Sequence, residues 1–257
     1  MAPPINDKIR RGFSNSARQY DLYSGLHREI ADDLLTKIIK EPGPSALLDV
    51  GCGTGYLTSQ ARKQYPGCNI IGLDFAQGML DVARAKHENI AWILADGDHL
   101  PFSSGCFDHV ISNLAYQWAQ DLAQAFSEAR RVLTDDGVLT CTLFGRHTCH
   151  ELFQSLQEAS EGALQFVRLP DQVKIREALI AAGFEDPIVD GKQVRIEFKD
   201  MYELMAWFKF IGAPHLPREG YLGPELLSRA ALIYQDKFSY QKGVGASFEV
   251  IGVYAKK

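Results

Sequence analysis

The feature that most constrains this chain is a glycine-rich turn between a predicted buried strand and a predicted helix. The apolar strand covers residues 47–50, and Gly51, Gly53 and Gly55 follow before a helical pattern begins at Tyr56. Glycine adopts positive φ freely and lets a ligand approach the backbone without a Cβ in the way. The N-terminus of the following helix offers free N–H groups to a ligand that accepts hydrogen bonds. The turn therefore predicts a ligand site at the end of a strand in an α/β fold.

The spacing of the glycines separates this turn from the dinucleotide-binding fingerprint. That fingerprint requires G-x-G-x-x-G, but the sixth position here is Tyr56. The pattern is G-x-G-x-G, with Asp49 in the preceding strand. It resembles motif I of the S-adenosylmethionine-dependent methyltransferases, whose fold is a Rossmann-like sheet of seven strands. The resemblance implies that the cofactor is S-adenosylmethionine.

Polar side chains at the ends of the next three predicted strands fit a nucleoside ligand. The second strand, residues 68–74, ends in Asp74, and an acid about 20 residues past the glycines of a βαβ unit reaches ribose hydroxyls. The third strand precedes Asp96, which in the methyltransferase pattern accepts from the adenine amino group, and the fourth precedes Asn113. Ligands of open α/β sheets bind outside the carboxyl ends of the strands. The expected cofactor-binding residues are Asp49, Gly51, Gly53, Gly55, Asp74, Phe75, Asp96, Gly97 and Asn113.

Composition argues against several other classes of protein. The hydrophobic fraction of 46% and the charged fraction of 23% are ordinary for a globular protein, and no apolar run has the length of a membrane span. The net charge of −5 gives no support for nucleic-acid binding. The five cysteines are scattered without a C-x-x-C pair, which predicts reduced thiols in a cytoplasm and no metal site.

Strand and helix patterns alternate between residues 46 and 144, which predicts a mostly parallel sheet with right-handed crossovers. The last predicted strand, residues 248–254, would insert antiparallel beside the fifth, as in the methyltransferase sheet. Short strands are expected near 187–189 and 194–198, and the N-terminal region is expected to form two helices broken around residues 15–21. Further predicted helices cover residues 56–65, 76–87, 120–133, 149–161, 171–182, 201–211 and 224–236.

One domain is expected over residues 1–257. Its core would comprise residues 45–198 and 244–257. The N-terminal helices, residues 5–40, and an insertion at 199–243 would together form a helical cap over the mouth of the cofactor site.

Three further segments carry a more specific resemblance. The segment Ser112-Asn113-Leu114-Ala115-Tyr116-Gln117-Trp118 resembles the N-L-A-x-Q-W signature of the malonyl-acyl-carrier-protein O-methyltransferases of biotin synthesis. The segment 210–213 is similar to the I-G-A element of that family, and 13–21 to its F-x-x-x-A-x-x-Y segment. The resemblance covers nearly the whole chain. One departure is the loop after Ala213, which contains Pro214 and Pro217.

The resemblance implies that the acceptor is the free carboxylate of a malonyl group on acyl-carrier protein. A carboxylate is already ionised at neutral pH, so no general base is expected. Desolvating that carboxylate requires a cation or several donors. The candidate cations are Arg18, Arg146 and Lys209, and the candidate neutral donors are Tyr20, Gln117 and Trp118. The expected substrate residues are Tyr20, Gln117, Trp118 and Arg146.

Each of these residues also has a simpler interpretation. Tyr20 and Trp118 could be packing residues, and Arg146 could be an exposed loop charge. Two other functions also stay open, namely methylation of a small-molecule acid or quinone precursor, and cofactor binding without catalysis.

A cluster of basic residues near the N-terminus fits the implied partner. The cluster comprises Lys8, Arg10, Arg11 and Arg18, and the segment from residue 8 to residue 18 contains no acidic residue. Such a patch would attract an acidic carrier protein, although it could also be an ordinary solvated helix face.

Overall fold

The structure is a computed structural model that describes residues 5–38, 43–166, 169–213, 218–219 and 222–257. Its strands, in chain order, are β1 (Ala46–Val50), β2 (Asn69–Asp74), β3 (Ala91–Leu94), β4 (Phe107–Asn113), β5 (Leu133–Phe144), β6 (Gln165–Phe166), β7 (Glu185–Phe198), β8 (Arg218–Glu219), β9 (Ser239–Tyr240) and β10 (Gly243–Lys256). Its helices are α1 (Ile5–Tyr23), α2 (Gly25–Ile38), α3 (Tyr56–Gln64), α4 (Gln77–Lys86), α5 (Leu122–Val132), α6 (His150–Ala159), α7 (Gln172–Ala181), α8 (Met201–Phe210) and α9 (Pro224–Lys237), with a 3₁₀ turn at Tyr116–Trp118.

The main sheet has the strand order β3-β2-β1-β4-β5-β10-β7, and the short β9 pairs with β10. Strands β1 to β5 pair in parallel. Strand β10 lies antiparallel between β5 and β7. The predicted mostly parallel sheet, with the last strand antiparallel beside the fifth, is confirmed.

Helices cover both faces of this sheet, and β1 shows why. Leu48 and Val50 face a core shared with α5 and α7, whereas Leu47 faces a core shared with α2 and α3. Side chains alternate between the two faces of a strand, and here both faces are apolar. A strand that is buried on both sides needs a helical layer on each side.

A separate apolar cluster lies under α6, α8 and α9, beside the end of the sheet where β10 begins. Phe248 and Ala246 of β10 pack there with Leu204 of α8 and Tyr234 of α9, all of them buried. The Tyr234 hydroxyl donates to the Gly245 carbonyl over 2.9 Å. This cluster fixes the helices of the insertion to the sheet.

The N-terminal helix differs from its prediction. Helix α1 continues to Tyr23, and the break falls at Ser24 instead of residues 15–21. Ile9 and Ala17 are buried, and Phe13 and Tyr20 join a cluster with α4. These positions follow helical spacing. Their packing therefore stabilises a continuous helix across the polar stretch at residues 15–21. Residues 39–40 of the predicted region lie outside the described residues.

Two strands are longer than predicted. The two short strands expected at 187–189 and 194–198 form the single strand β7, because β10 pairs with it from Val244↔Phe198 through to Tyr254↔Ile188. The β-rich sequence predicts the fifth strand over residues 138–144, after a turn at 135–137. Strand β5 instead begins at Leu133, with Asp135, Asp136 and Gly137 at an irregularity in its register with β4.

The remaining predicted helices are confirmed to within a few residues. The predicted proline-rich loop at 214–217 lies outside the described residues. Within the part of the chain that the structure describes, no helix has the length and apolarity needed to cross a bilayer.

Candidate functional site

Three adjoining cavities open at the carboxyl ends of the parallel strands. The largest, of about 870 Å³, lies between α1, α6, α8 and the ends of β4 and β5. Two smaller cavities, of about 90 and 50 Å³, lie at the glycine turn. Tyr20 of α1 lines all three cavities. The three spaces therefore form one candidate site with a large chamber and a small polar part.

The glycine turn has the conformation that its sequence predicts. Gly51, Gly53 and Gly55 have φ values of 73°, 56° and 86°. A Cβ on Gly51 would lie 2.2 Å from the Cβ of Ala115, whereas a Cβ on Gly53 would have nothing within 4 Å. Gly51 and Gly53 line the small cavities. Gly55 does not line them, and a Cβ there would lie 2.6 Å from the Trp92 ring.

Two buried carboxyl groups flank this turn. Asp74, at the end of β2, accepts from the backbone N–H groups of Gly53 at 2.9 Å and Ala76 at 2.8 Å, and burial raises its pKa to about 6. Asp49 accepts from the Thr58 hydroxyl at 2.6 Å through Oδ2, while its buried Oδ1 has no partner among the described residues. Burial, and to a smaller extent the Asp74 charge, raise the pKa of Asp49 to about 7. Such a pair favours a ligand that is cationic or rich in hydrogen-bond donors.

The cavity of about 90 Å³ brings together most of the other expected cofactor residues. Asp74, Phe75, Asp96, Gly97 and Asn113 line it, with apolar walls that include Val50, Leu73 and Met79. Asp98 also lines it, which the sequence analysis missed. This aspartate is buried and accepts from the Gln120 backbone N–H at 2.9 Å.

The cavity of about 50 Å³ adds two charged groups from the N-terminal helices that the sequence analysis also missed. Arg28 and Asp21 line it beside Asp49. The Arg28 guanidinium lies 3.4 Å from Asp21 and 5.2 Å from the centre of the Tyr56 ring. Asp21 also accepts from the Thr54 hydroxyl at 2.7 Å and pairs with Lys86. No local sequence pattern relates the two residues, because Asp21 lies on α1 and Arg28 on α2, on either side of the break at Ser24.

All four expected substrate residues line the large cavity. The Gln117 side chain accepts from the Phe144 backbone N–H at 3.2 Å through Oε1. Trp118 packs edge-on against Phe13 with ring centres 5.7 Å apart. Burial raises the pKa of Tyr20 far above its ordinary value, so its hydroxyl stays a neutral donor.

The structure distinguishes the three candidate cations. Arg18 and Lys209 are exposed, and neither lines the large cavity. Arg146 does line it, and among the described lining residues it alone carries a permanent charge. Its Nη1 donates to Asp171 at 2.9 Å. The other lining groups are largely apolar or aromatic, such as Phe144, Phe153, Phe166, Leu169, Phe208 and Ile211.

Helix α1 reaches this cavity because α8 holds its end. The rings of Tyr23 and Phe210 stack with centres 4.2 Å apart, and Trp207 Nε1 donates to the Tyr23 carbonyl at 2.9 Å. Gly212, just after α8, has a φ of 83°, and a Cβ there would lie 2.8 Å from the Phe13 Cα. The two helices therefore contact closely beside the site.

Comparison with known proteins gives matches over most of the chain. Residues 48–141 match the model of a methyltransferase domain. The malonyl-[acyl-carrier protein] O-methyltransferase of Halorhodospira halophila is 34% identical over 95% of this chain and 85% of its own length. The enzyme of the same name from Geobacter sulfurreducens is 32% identical over 95% of this chain and 96% of its own length. The biotin biosynthesis bifunctional protein BioHC of Cellvibrio japonicus is 30% identical over 97% of this chain and 50% of its own length.

Among solved structures, the fold resembles phosphoethanolamine N-methyltransferase 2 of Haemonchus contortus in complex with S-adenosyl-L-methionine. The TM-score is 0.61 at 19% identity, and the match covers 95% of this chain and 57% of that one. This likeness concerns the fold.

Proposed function

Because this chain belongs to the malonyl-[acyl-carrier protein] O-methyltransferase family, we propose that it methylates the free carboxylate of a malonyl group carried by acyl-carrier protein. The product would be the malonyl methyl ester that primes biotin synthesis. The observation that carries the proposal is the cavity of about 870 Å³, whose described lining includes Arg146 and no carboxylate. An anionic acceptor on a long carrier fits such a space.

The residues at the glycine turn fit S-adenosylmethionine as the cofactor. This cofactor supplies an electrophilic methyl group on a sulfonium centre. We assign Asp74 to the ribose hydroxyls and Asp96 to the adenine amino group, with Phe75, Gly97 and Asn113 around them. Gly51 and Gly53 would let the cofactor approach the backbone closely, and the buried Asp49 would favour the positive charge of its sulfonium group. Gly55 would act indirectly, by shaping the turn against Trp92.

The chain's own task would be to hold the acceptor carboxylate in line. A malonyl carboxylate is ionised at neutral pH, so the residues need not remove a proton. Arg146, oriented by Asp171, would meet the charge, and Tyr20, Gln117 and Trp118 would add neutral donors. Holding reactants in a productive geometry contributes up to roughly 7–11 kcal/mol to a rate enhancement. Orientation would thus account for the catalysis.

The surroundings of the site complete the proposal. Residues 45–198 and 244–257 would be the core of one domain, and α1, α2 and the 199–243 insertion would form a cap over the site, as the contact between Tyr23 and Phe210 supports. The partner would be acyl-carrier protein, with no role for nucleic acid or a membrane. The cysteines of the described residues are free thiols, which supports a cytoplasmic location.

Intact-mass measurement of malonyl-acyl-carrier protein, after incubation with the protein and S-adenosylmethionine, tests this function. We expect the acyl group to gain one methyl, and the carrier protein without a malonyl group to gain none. Methylation of a free small acid but not of the carried one would instead support the small-molecule alternative. Cofactor binding with no turnover of either acceptor would support a non-catalytic role.

A further inference from the structure

His27, on α2, occupies the wall between the two parts of the site. It lines both the large cavity and the small cavity that contains Asp49 and Arg28. Three aromatic rings surround its imidazole, with ring centres 5.8 Å away for Tyr20, 5.8 Å for Phe144 and 5.7 Å for Trp207. The imidazole therefore lies where the acceptor chamber meets the proposed cofactor site.

The two ring nitrogens of His27 have different surroundings. Nδ1 is enclosed and has no hydrogen-bond partner among the described residues. Because Nδ1 is enclosed, Nε2 is the ring nitrogen available to a ligand in the cavities that His27 lines. Burial lowers the pKa of His27 to about 4, so the imidazole is neutral at pH 7 and carries one proton. A buried N–H without an acceptor is rarer than a buried acceptor without a donor, which favours the proton on Nε2.

The backbone of His27 is fixed to the sheet. Its carbonyl accepts from Asn113 Nδ2 at 3.0 Å, and Asn113 Oδ1 accepts from the Thr142 hydroxyl at 2.8 Å. Asn113 ends β4 and Thr142 lies in the neighbouring β5. The imidazole is thus positioned by the same strand ends that form the site, although His27 itself lies on an N-terminal helix.

We propose that His27 is a substrate-binding residue whose Nε2–H donates a hydrogen bond to the acceptor carboxylate. This inference rests on the proposed function and adds a residue to it. A carboxylate has room for about four hydrogen bonds, so a bond from His27 leaves acceptor capacity for other donors of the same cavity, such as Arg146. A hydrogen bond to a charged oxygen is about twice as strong as one to a neutral oxygen. The bond therefore weakens when the carboxylate becomes an ester, which favours release of the product.

Two substitutions separate the donor from the bulk of the ring. His27→Phe fills the aromatic enclosure without a donor, and we expect kcat/KM for malonyl-acyl-carrier protein to fall about 10- to 100-fold, the range for a hydrogen bond to a charged group. His27→Gln retains an N–H donor and should recover most of that loss. Calorimetry should give unchanged S-adenosylmethionine affinity for both variants, because the proposed partner is the acceptor.

The outcomes distinguish this inference from the proposed function. Absence of methyl transfer by the wild-type protein would contradict the function itself. With an active wild-type protein, unchanged kcat/KM in His27→Phe would overturn the inference, and so would weaker cofactor binding in both variants. If His27→Phe does not fold, nitrogen-15 NMR of the wild-type imidazole decides the matter. A proton on Nε2 supports the proposal, and a proton on Nδ1 overturns it.

Discussion

A few side chains around the glycine turn would make most of the hydrogen bonds to the cofactor. Asp74 accepts from the Gly53 N–H of the glycine turn and from the Ala76 N–H of the loop between β2 and α4. A carboxylate has further acceptor capacity, which would bind the ribose hydroxyls of the cofactor. The same residue would therefore shape the turn and bind the ligand.

Asp74→Asn tests that double role. We expect it to weaken S-adenosylmethionine binding by about 1.5–3 kcal/mol, the cost of losing a charge-assisted acceptor. Isothermal calorimetry measures the change. Asp81→Asn on the exposed face of α4 is the matched control and should bind normally. If a folded Asp74→Asn protein bound S-adenosylmethionine with unchanged affinity, Asp74 would not be a cofactor-binding residue.

Asp49→Asn tests whether the second carboxylate costs stability. The folded protein raises the pKa of Asp49 from 3.8 to about 7, so between these values the folded state holds the proton more tightly than the unfolded state. Stability therefore falls as pH rises through that window, by up to about 1.4 kcal/mol per pH unit. Asn has no such dependence and keeps an acceptor for Thr58.

We thus expect a higher Tm for cofactor-free Asp49→Asn than for the wild type at pH 8. The advantage should shrink steadily towards pH 4. Thermal unfolding across this range measures the difference. If the wild type were the more stable protein at pH 8, the ionised Asp49 would not destabilise the fold, and the prediction would be wrong.

How well the sequence predicts a site residue depends on whether local structure places it. Asp74 and Asn113 end their strands and Asp96 lies two residues past β3, so their common edge could be predicted from strand order alone. His27 and Arg28 reach the site only because the chain changes direction at Ser24, after α1, and α2 then packs beside the glycine turn. That packing is non-local, and no motif in the sequence marks it.

At the scale of elements, the contact between α1 and α8 explains a motif whose role the sequence did not reveal. Gly212 follows α8 in the left-handed region, with Phe13 and Ser16 of α1 directly against it. A side chain at this position meets both backbone strain and a close neighbour. The glycine of the I-G-A element is thus required for the two helices to approach.

Gly212→Ala should therefore loosen α1 from α8. We expect a loss of about 1–3 kcal/mol in the free energy of unfolding, from strain and overpacking, together with a higher KM for the acceptor. Denaturant unfolding and steady-state kinetics measure the two effects. Gly25→Ala is the control, since a Cβ there has nothing within 4 Å. Equal effects of both substitutions would contradict the close-approach argument.

The errors in element boundaries share one physical origin. The polar stretch at 15–21 and the Asp190-Gly191-Lys192 segment both read as breaks in the sequence. In the structure, the buried face of α1 keeps the helix continuous through residues 15–21. The long pairing with β10 keeps β7 continuous through Asp190, Gly191 and Lys192. Tertiary contacts override local propensity at both places.

At the scale of the whole molecule, the basic patch needs one correction. Arg10 forms an ion pair with Asp7 at 2.8 Å, an acid just outside the cluster that the sequence defines. Lys8, Arg11 and Arg18 are exposed and recur at i, i+3 and i+10 on α1. This spacing places them on one stripe of the helix, on the solvent side of α1 and away from the face on which Ile9 and Phe13 line the large cavity.

We predict that this stripe guides an acidic carrier protein to the cavity. Reversing Arg11 and Arg18 to Glu should lower kcat/KM for malonyl-acyl-carrier protein and flatten its dependence on salt, because screening shortens from about 10 Å at 0.1 M to about 3 Å at 1 M. A short malonyl thioester should react as before. Lys256→Glu is the control, because this exposed residue pairs with Val138 near the start of β5, at the end of the sheet away from the cavities. Equal losses on both substrates would assign the stripe to the fold or the cap.

The position of β10 has a consequence for how the chain is made. During synthesis, β1 to β5 emerge well before β10, yet β10 is the strand that pairs with β5 along Val138–Phe144. Until then β5 presents an open, apolar edge, which is a template for pairing with another chain. Long-range pairing of this kind is slow to form. A nascent chain halted after α9 should therefore depend on chaperones and aggregate without them, whereas completion of β10 closes the sheet.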